Sequence, residues 1–221
     1  MTGSNVGVDP PKPLLAVIFD VDGVLIRSME KHAEAYARAF APLGVTVEQA
    51  EVFRNEGRGS RDVAVAVAKQ RGLGLSDAQI DAIAKEKQRV FTSFGPMPKY
   101  PGVDALIDRL KARGLRLAMV TGTSRVNVES HFGAWAKAFD VIVTADDVKR
   151  TKPDPEPYET AIAKLGLEKD EAIVVENAPL GIQSAKAAGL RVVAITTTNP
   201  PAALSQADAV VASITDVESF L

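Results

Sequence analysis

The chain has 221 residues, 46% of them apolar, a formal net charge of −2 and no cysteine. That length holds one large domain or two small ones. The absence of thiols excludes disulfides and thiolate metal sites and leans toward a cytoplasmic setting. The near-neutral charge argues against general binding to nucleic acid or an anionic membrane surface, and no apolar run approaches the roughly 18 residues of a membrane span.

In chain order, MTGSNVGVDPPKP (1–13) is polar and proline-bearing, lacks the layout of a secretion signal, and reads as a loose tail. LAVIF (15–19) is the first expected strand; Asp20, Asp22 and Gly23 follow it directly, and His32 lies in the amphipathic segment beyond. From about 31 to 100 no strand pattern occurs, and three helical stretches, EKHAEAYARAFAPLG, RDVAVAVAKQRG and DAQIDAIAKEKQRVF, fill the interval. Residues 33–100 carry 10 Lys/Arg and 8 Asp/Glu, net +2, which leaves 16 and 20, net −4, elsewhere: a bias that suits a mildly cationic lid over a mildly anionic core and is also small enough to arise by chance. Strand and helix patterns then alternate, with LRLAMV (115–120), VIV (141–143), AIVV (172–175), RVVAI (191–195) and AVVA (209–212) as strands. The helices between them, at 103–114, 155–166 and 179–189, each end in glycine. Runs apolar on both faces fit a parallel sheet covered by helices. The expected fold is therefore α/β, a Rossmann-like doubly wound sheet of residues 14–30 and 101–221 with a helical cap inserted at 31–100.

Ligands of open α/β sheets bind beyond the carboxyl ends of the strands. Those ends carry Asp20 and Asp22, then Thr121, Gly122 and Thr123, then Lys152 in TKPDP, then Glu176 and Asn177. Acids, hydroxyls, an amine and an amide together suit a phosphoryl group and a hard divalent cation. Asp20, Asp22 and Glu176 bring three negative charges, Lys152 one positive, and Mg²⁺ would cancel the remainder; unaided, converging carboxylates would repel one another. One aspartate can attack phosphorus and the other can move protons.

With these residues in view, the chain resembles the haloacid dehalogenase superfamily, in its phosphatase and beta-phosphoglucomutase-like branch. DVDGVL (20–25), VTGTS (120–124), TKPDP (151–155) and VVENAPLGI (174–182) are similar to its four signatures, in order, with the helical insert between the first two. The resemblance implies Asp20 as nucleophile, Asp22 as general acid/base, and Thr121 and Lys152 as phosphoryl-binding residues. It further implies Asp20, the Asp22 carbonyl, Glu176 and Asn177 around Mg²⁺. Asp22 implies phosphoryl transfer, because dehalogenases of the family lack an acid there. GRGSRD (57–62) is similar to the substrate loop of beta-phosphoglucomutase, which implies Arg61 and Arg58 as anion contacts, with Gly122 and His32 also at the substrate; the segment near Lys85 and Lys87 faces the same cleft. The family often has aspartate where Asn177 stands, so Asn177→Asp is expected to tighten Mg²⁺ binding.

Taken singly, each signature also suits a turn or a helix cap, TKPDP for instance a turn before a helix with Asp154 as its N-cap. The expected activity is a Mg²⁺-dependent hydrolysis of a small phosphomonoester through an aspartyl phosphate. The alternatives are a sugar-phosphate mutase and a non-catalytic binding protein on the same fold. The expected partner is a small phosphorylated substrate, with neither nucleic acid nor membrane, and the expected state a monomer or weak homodimer.

Overall fold

A computed structural model describes residues 12–221, so most of the expected N-terminal tail lies outside the described residues. Six strands form one parallel sheet in the order β3-β2-β1-β4-β5-β6. They are β1 Ala16–Phe19, β2 Arg116–Val120, β3 Val141–Val143, β4 Ala172–Glu176, β5 Arg191–Ile195 and β6 Ala209–Val211. The two-residue alternation of a strand sends its side chains to opposite faces. On one face Val17, Phe19, Leu117, Met119, Ile173 and Val175 meet helices α5 (Val103–Ala112) and α6 (Arg125–Phe132). On the other, Ile18, Ala118, Val120 and Val174 meet α7 (Glu156–Leu165) and α8 (Pro179–Ala187). With both faces covered, unbroken apolar runs bury well, which is why these strands stand out in the sequence.

Between β1 and α5 lie α1 (Met29–Phe40), α2 (Gln49–Phe53), α3 (Ser60–Gln70) and α4 (Asp77–Ser93). They share a separate apolar cluster built on Tyr36, Phe40, Val52, Val67 and Ile83. Ser76 caps α4 by accepting from the Gln79 amide, while the Gln79 side chain accepts from the Ser76 amide at 2.9 Å. Among the described residues no helix is long and apolar enough to cross a membrane.

The chain runs from β1 out to β2 and β3, then returns past β1 to β4, so the connections diverge on either side of β1 and β4. Such a switch point opens a crevice at the carboxyl ends of the two strands. Asp20 follows β1, its amide donating to the Val175 carbonyl at 2.9 Å, and β4 ends at Glu176.

Candidate active site

The turn after β1 separates the two aspartates. Gly23 adopts φ +86°, and a β-carbon there would lie 2.1 Å from Asn177 Nδ2. Glycine is thus required twice over, for the left-handed backbone and for the close approach of the β4 loop.

Asp20 turns toward Lys152. The Lys152 ammonium, 1% exposed, donates to Asp20 Oδ1 at 2.5 Å and to Glu176 Oε1 at 2.7 Å. Burial opposes a charged lysine, but the two carboxylates outweigh it and hold the ammonium firmly protonated. Burial, with Glu176 and Asp22 nearby, pushes the Asp20 carboxyl up, and Lys152 pulls against that rise.

Asp22 turns the other way. Its Oδ1 accepts from Ser28 Oγ at 2.6 Å and pairs with His32 Nε2 at 2.9 Å; its Oδ2 accepts from the hydroxyls of Thr121 and Thr123, each at 3.2 Å. Burial works against the charged form, yet His32, Ser28 and the more distant Lys87 charge hold Asp22 well below the usual carboxylate range. Burial, followed by the neighbouring Lys87 charge, in turn lowers the affinity of His32 for its proton.

Glu176, expected at a metal, is held here by protein donors. Oε1 accepts from Lys152 and from the Tyr158 hydroxyl at 2.8 Å, and Oε2 accepts from the amides of Asn177 and Ala178 at 2.8 and 3.0 Å. Through Oε1 it also orients Lys152. Helix α8 comes close enough that a β-carbon on Gly181 would fall 1.7 Å from Glu176 Oε1.

Asn177 is buried, and its Oδ1 has no hydrogen-bond partner. Its Nδ2 donates to Glu56 Oε1 at 2.6 Å and to Thr198 Oγ1 at 2.7 Å. Glu56 comes from the helical insert and is itself buried; its Oε2 accepts from Thr198 at 2.8 Å and Asn199 at 3.2 Å. Burial pushes the Glu56 carboxyl up to about 8 against the hydrogen bonds from Asn177 and Thr198. In Asn177→Asp the Nδ2 donation to Glu56 would be lost, so any gain at a metal would come with a changed contact to the insert. Among the described residues no three His, Cys, Asp or Glu side chains form a ready metal cluster. Oxygen donors that fit Mg²⁺ include a carboxylate of Asp20, the orphaned Asn177 Oδ1 and backbone carbonyls, the hard-oxygen set this ion takes.

Between insert and sheet lies a cavity lined by Asp20, Asp22, His32, Arg58, Lys87 and Gly122. Lys87 is 2% exposed, and its ammonium stands over the rings of Phe91 and Tyr36, at 4.7 and 5.1 Å. Arg58 carries a buried Nε with no partner. Arg61, expected beside Arg58, lies elsewhere: Asp77 and Asp81 of α4 hold its exposed guanidinium at 2.5 and 2.7 Å. Ser60 opens α3, and one residue further on the side chain faces outward. Thr121, Gly122 and Lys152 follow β2 and β3 as their strand positions require; Lys85 is not among the lining residues.

The haloacid dehalogenase-like hydrolase model matches residues 17–195. The chain belongs to the haloacid dehalogenase-like hydrolase family. It is 36% identical over 206 residues to validoxylamine A 7'-phosphate phosphatase of Streptomyces hygroscopicus subsp. limoneus, covering 90% of this chain and 94% of that one. The crystal structure of CbbY from Rhodobacter sphaeroides in complex with phosphate superposes with a TM-score of 0.79 at 28% identity, over 92% and 96% of the two chains. A beta-phosphoglucomutase from Clostridium difficile shares the fold, with a TM-score of 0.81 at 21% identity over 92% and 93%. This haloacid dehalogenase-like hydrolase is an enzyme, a phosphoric monoester hydrolase.

Proposed function

We propose that the enzyme hydrolyses a small phosphomonoester of the sugar-phosphate type through a phosphoryl group carried on Asp20. The observation behind this reading is the division between two adjacent aspartates: Asp20 faces the ammonium of Lys152, whereas Asp22 sits among a histidine and three hydroxyls. One is oriented for attack and the other for moving protons. Because Lys152 occupies Asp20 Oδ1, Oδ2 is the attacking atom. It forms the bond to phosphorus as the ester P–O bond breaks. Asp22, ionised in the free protein, gains proton affinity as the anionic phosphoryl group closes on it, takes up a proton from solvent, and gives that proton to the leaving oxygen. It then takes a proton from water, which attacks the acyl phosphate and restores Asp20. A Mg²⁺ ion held by Asp20, the Asp22 carbonyl and Asn177 Oδ1 would neutralise charge on the phosphoryl oxygens.

The insert, residues 31–100, acts as the cap, closing the cavity against water. Within it Arg58 and Lys87, with His32, receive the leaving group. The name of the validoxylamine phosphate phosphatase and the phosphate in the CbbY structure support this substrate class.

A screen of sugar phosphates, phosphoglycolate and nucleotides with Mg²⁺, using Asp20→Asn as the blank, tests the reading. Wild-type release of phosphate and a ³²P label that stays on the protein only when Asp20 is present are the expected results. With glucose 1-phosphate, phosphate marks the hydrolase and glucose 6-phosphate the mutase. No turnover of any phosphomonoester would reject the reading.

Lys87 gives a second test, in stability. Burial lowers its pKa from 10.5 to about 8, with Asp22 opposing. The unfolded chain therefore binds more protons between about 8 and 10.5, so this group makes stability rise with pH across that window and penalises the fold below it. At about 1.4 kcal/mol per pH unit the penalty is about 3 kcal/mol. Lys87→Met should thus be more stable than wild type at pH 7, with the advantage shrinking above pH 8, while KM for the substrate rises. Denaturant titrations of both proteins from pH 7 to 10 measure the difference; a less stable variant at pH 7 would contradict this account.

A further inference from the structure

The helical insert sends a single carboxylate into the loops at the ends of β4 and β5. Glu56 is 6% exposed and accepts hydrogen bonds from Asn177 Nδ2, Thr198 Oγ1 and Asn199 Nδ2, at 2.6, 2.8 and 3.2 Å. These three residues belong to the loops after β4 and β5, whereas Glu56 belongs to the insert and lines the cavity. The neighbouring Gly59 amide and Asp62 both meet Thr151, one residue before Lys152. The segment around Glu56 is therefore seated directly on the two loops that carry Lys152 and Asn177.

An amide has one donor end and one acceptor end, so fixing one fixes the other. Glu56 and Thr198 claim the Nδ2 end of Asn177, and the Oδ1 end is left buried without a partner. In a buried loop an unpaired carbonyl oxygen is costly unless a ligand completes it. We infer that Glu56 is a positioning residue: it seats the cap on the core and, through the same hydrogen bond, holds Asn177 with its oxygen free for the divalent cation, so that cap seating and metal binding reinforce each other. This rests on the Mg²⁺ reading above and extends it, because it makes the metal site depend on a residue of the cap. By reciprocity, a bound ion must in turn favour the seated cap.

The test uses Mn²⁺ as the probe, followed by electron paramagnetic resonance on the intact protein, without turnover. Glu56→Ala should weaken Mn²⁺ binding about 10–100-fold, the range seen when partners that orient a metal ligand are removed. Glu56→Gln, which keeps an acceptor for Asn177, should stay near the wild-type affinity and guards against simple misfolding. In an Asn177→Ala background Glu56→Ala should cost almost nothing more, since the residue acts through Asn177. Mn²⁺ should also slow amide exchange across 55–62 in wild type and not in Glu56→Ala. Unchanged affinity in Glu56→Ala, or an equal loss with and without Asn177, would overturn the inference while leaving the phosphatase reading intact, provided Asp20→Asn still abolishes turnover. A wild-type protein that binds no Mn²⁺ would overturn both.

Discussion

Replacing Lys152 by methionine is expected to cost about 3–5 kcal/mol of stability, the penalty for breaking a buried ion pair by removing one partner. The side chains of Asp20 and Glu176 are 6% and 0% exposed, and Lys152 is the cation both of them touch. Methionine fills a similar volume without a charge, so two carboxylates would face each other across a dry gap. Against a typical stability of about 5–15 kcal/mol, such a loss is large enough to shift the urea midpoint well down or to prevent folding at moderate temperature. The direction with pH distinguishes this cause from lost packing. Burial already pushes Asp20 up, and removal of Lys152 pushes it further, so the folded variant binds more protons than its unfolded chain. Its stability should then fall as pH rises through neutrality and recover in mild acid, relative to wild type. Adding Glu176→Gln should restore part of the loss, because one buried charge is then gone. A variant equally destabilised at every pH, with no rescue, would show that Lys152 matters for its shape alone.

The same triad shows what a sequence can and cannot reveal. The strands were legible because a sheet covered on both faces demands unbroken apolar runs, and the residues just beyond those runs are the ones that converge on the crevice. Asp20, Asp22, Thr121, Lys152, Glu176 and Asn177 could be found this way. Their tasks could not all be assigned, because a task depends on where each oxygen points. Glu176 and Lys152 are 24 residues apart, and nothing in VVENAP says that Tyr158 and two backbone amides take up the rest of the carboxylate. Glu56 was hidden for another reason. It is one of eight acids in a polar helical insert, and only the docking of that insert buries it. Its one local sign is weak: an acid immediately before Gly57, which takes φ +94° and where an added β-carbon would lie 3.2 Å from Lys152 Cδ. Thr198 and Asn199, in the loop after β5, meet Glu56 only through the same docking. Arg61 shows the converse, a residue singled out by likeness of its loop, GRGSRD, whose guanidinium the first turns of α4 capture on the surface.

Asp22→Asn is expected to lower turnover of alkyl phosphomonoesters about 10²–10⁴-fold, the usual weight of general acid–base catalysis. The fold should survive it. Asparagine can keep its oxygen toward Ser28 and His32 and turn its NH₂ to Thr121 and Thr123, whose hydroxyls can rotate to accept. What asparagine cannot do is carry a proton. That deficit falls on two steps, and the leaving group separates them. An alkoxide needs a proton to depart, whereas a nitrophenolate does not, so p-nitrophenyl phosphate should still phosphorylate Asp20 in the variant. The second step needs a base for the attacking water whatever the first leaving group was. The variant should therefore release nitrophenol in a burst of about one equivalent per site and then stall, with phosphate held on Asp20; Asp20→Asn should give no burst. Rapid-quench kinetics and mass spectrometry of the quenched protein read both features. Near-normal steady-state turnover, or an equal loss on alkyl and aryl substrates with no trapped phosphoprotein, would mean that the hydroxyl-and-imidazole cradle around Asp22 holds the turn after β1 in shape and moves no proton.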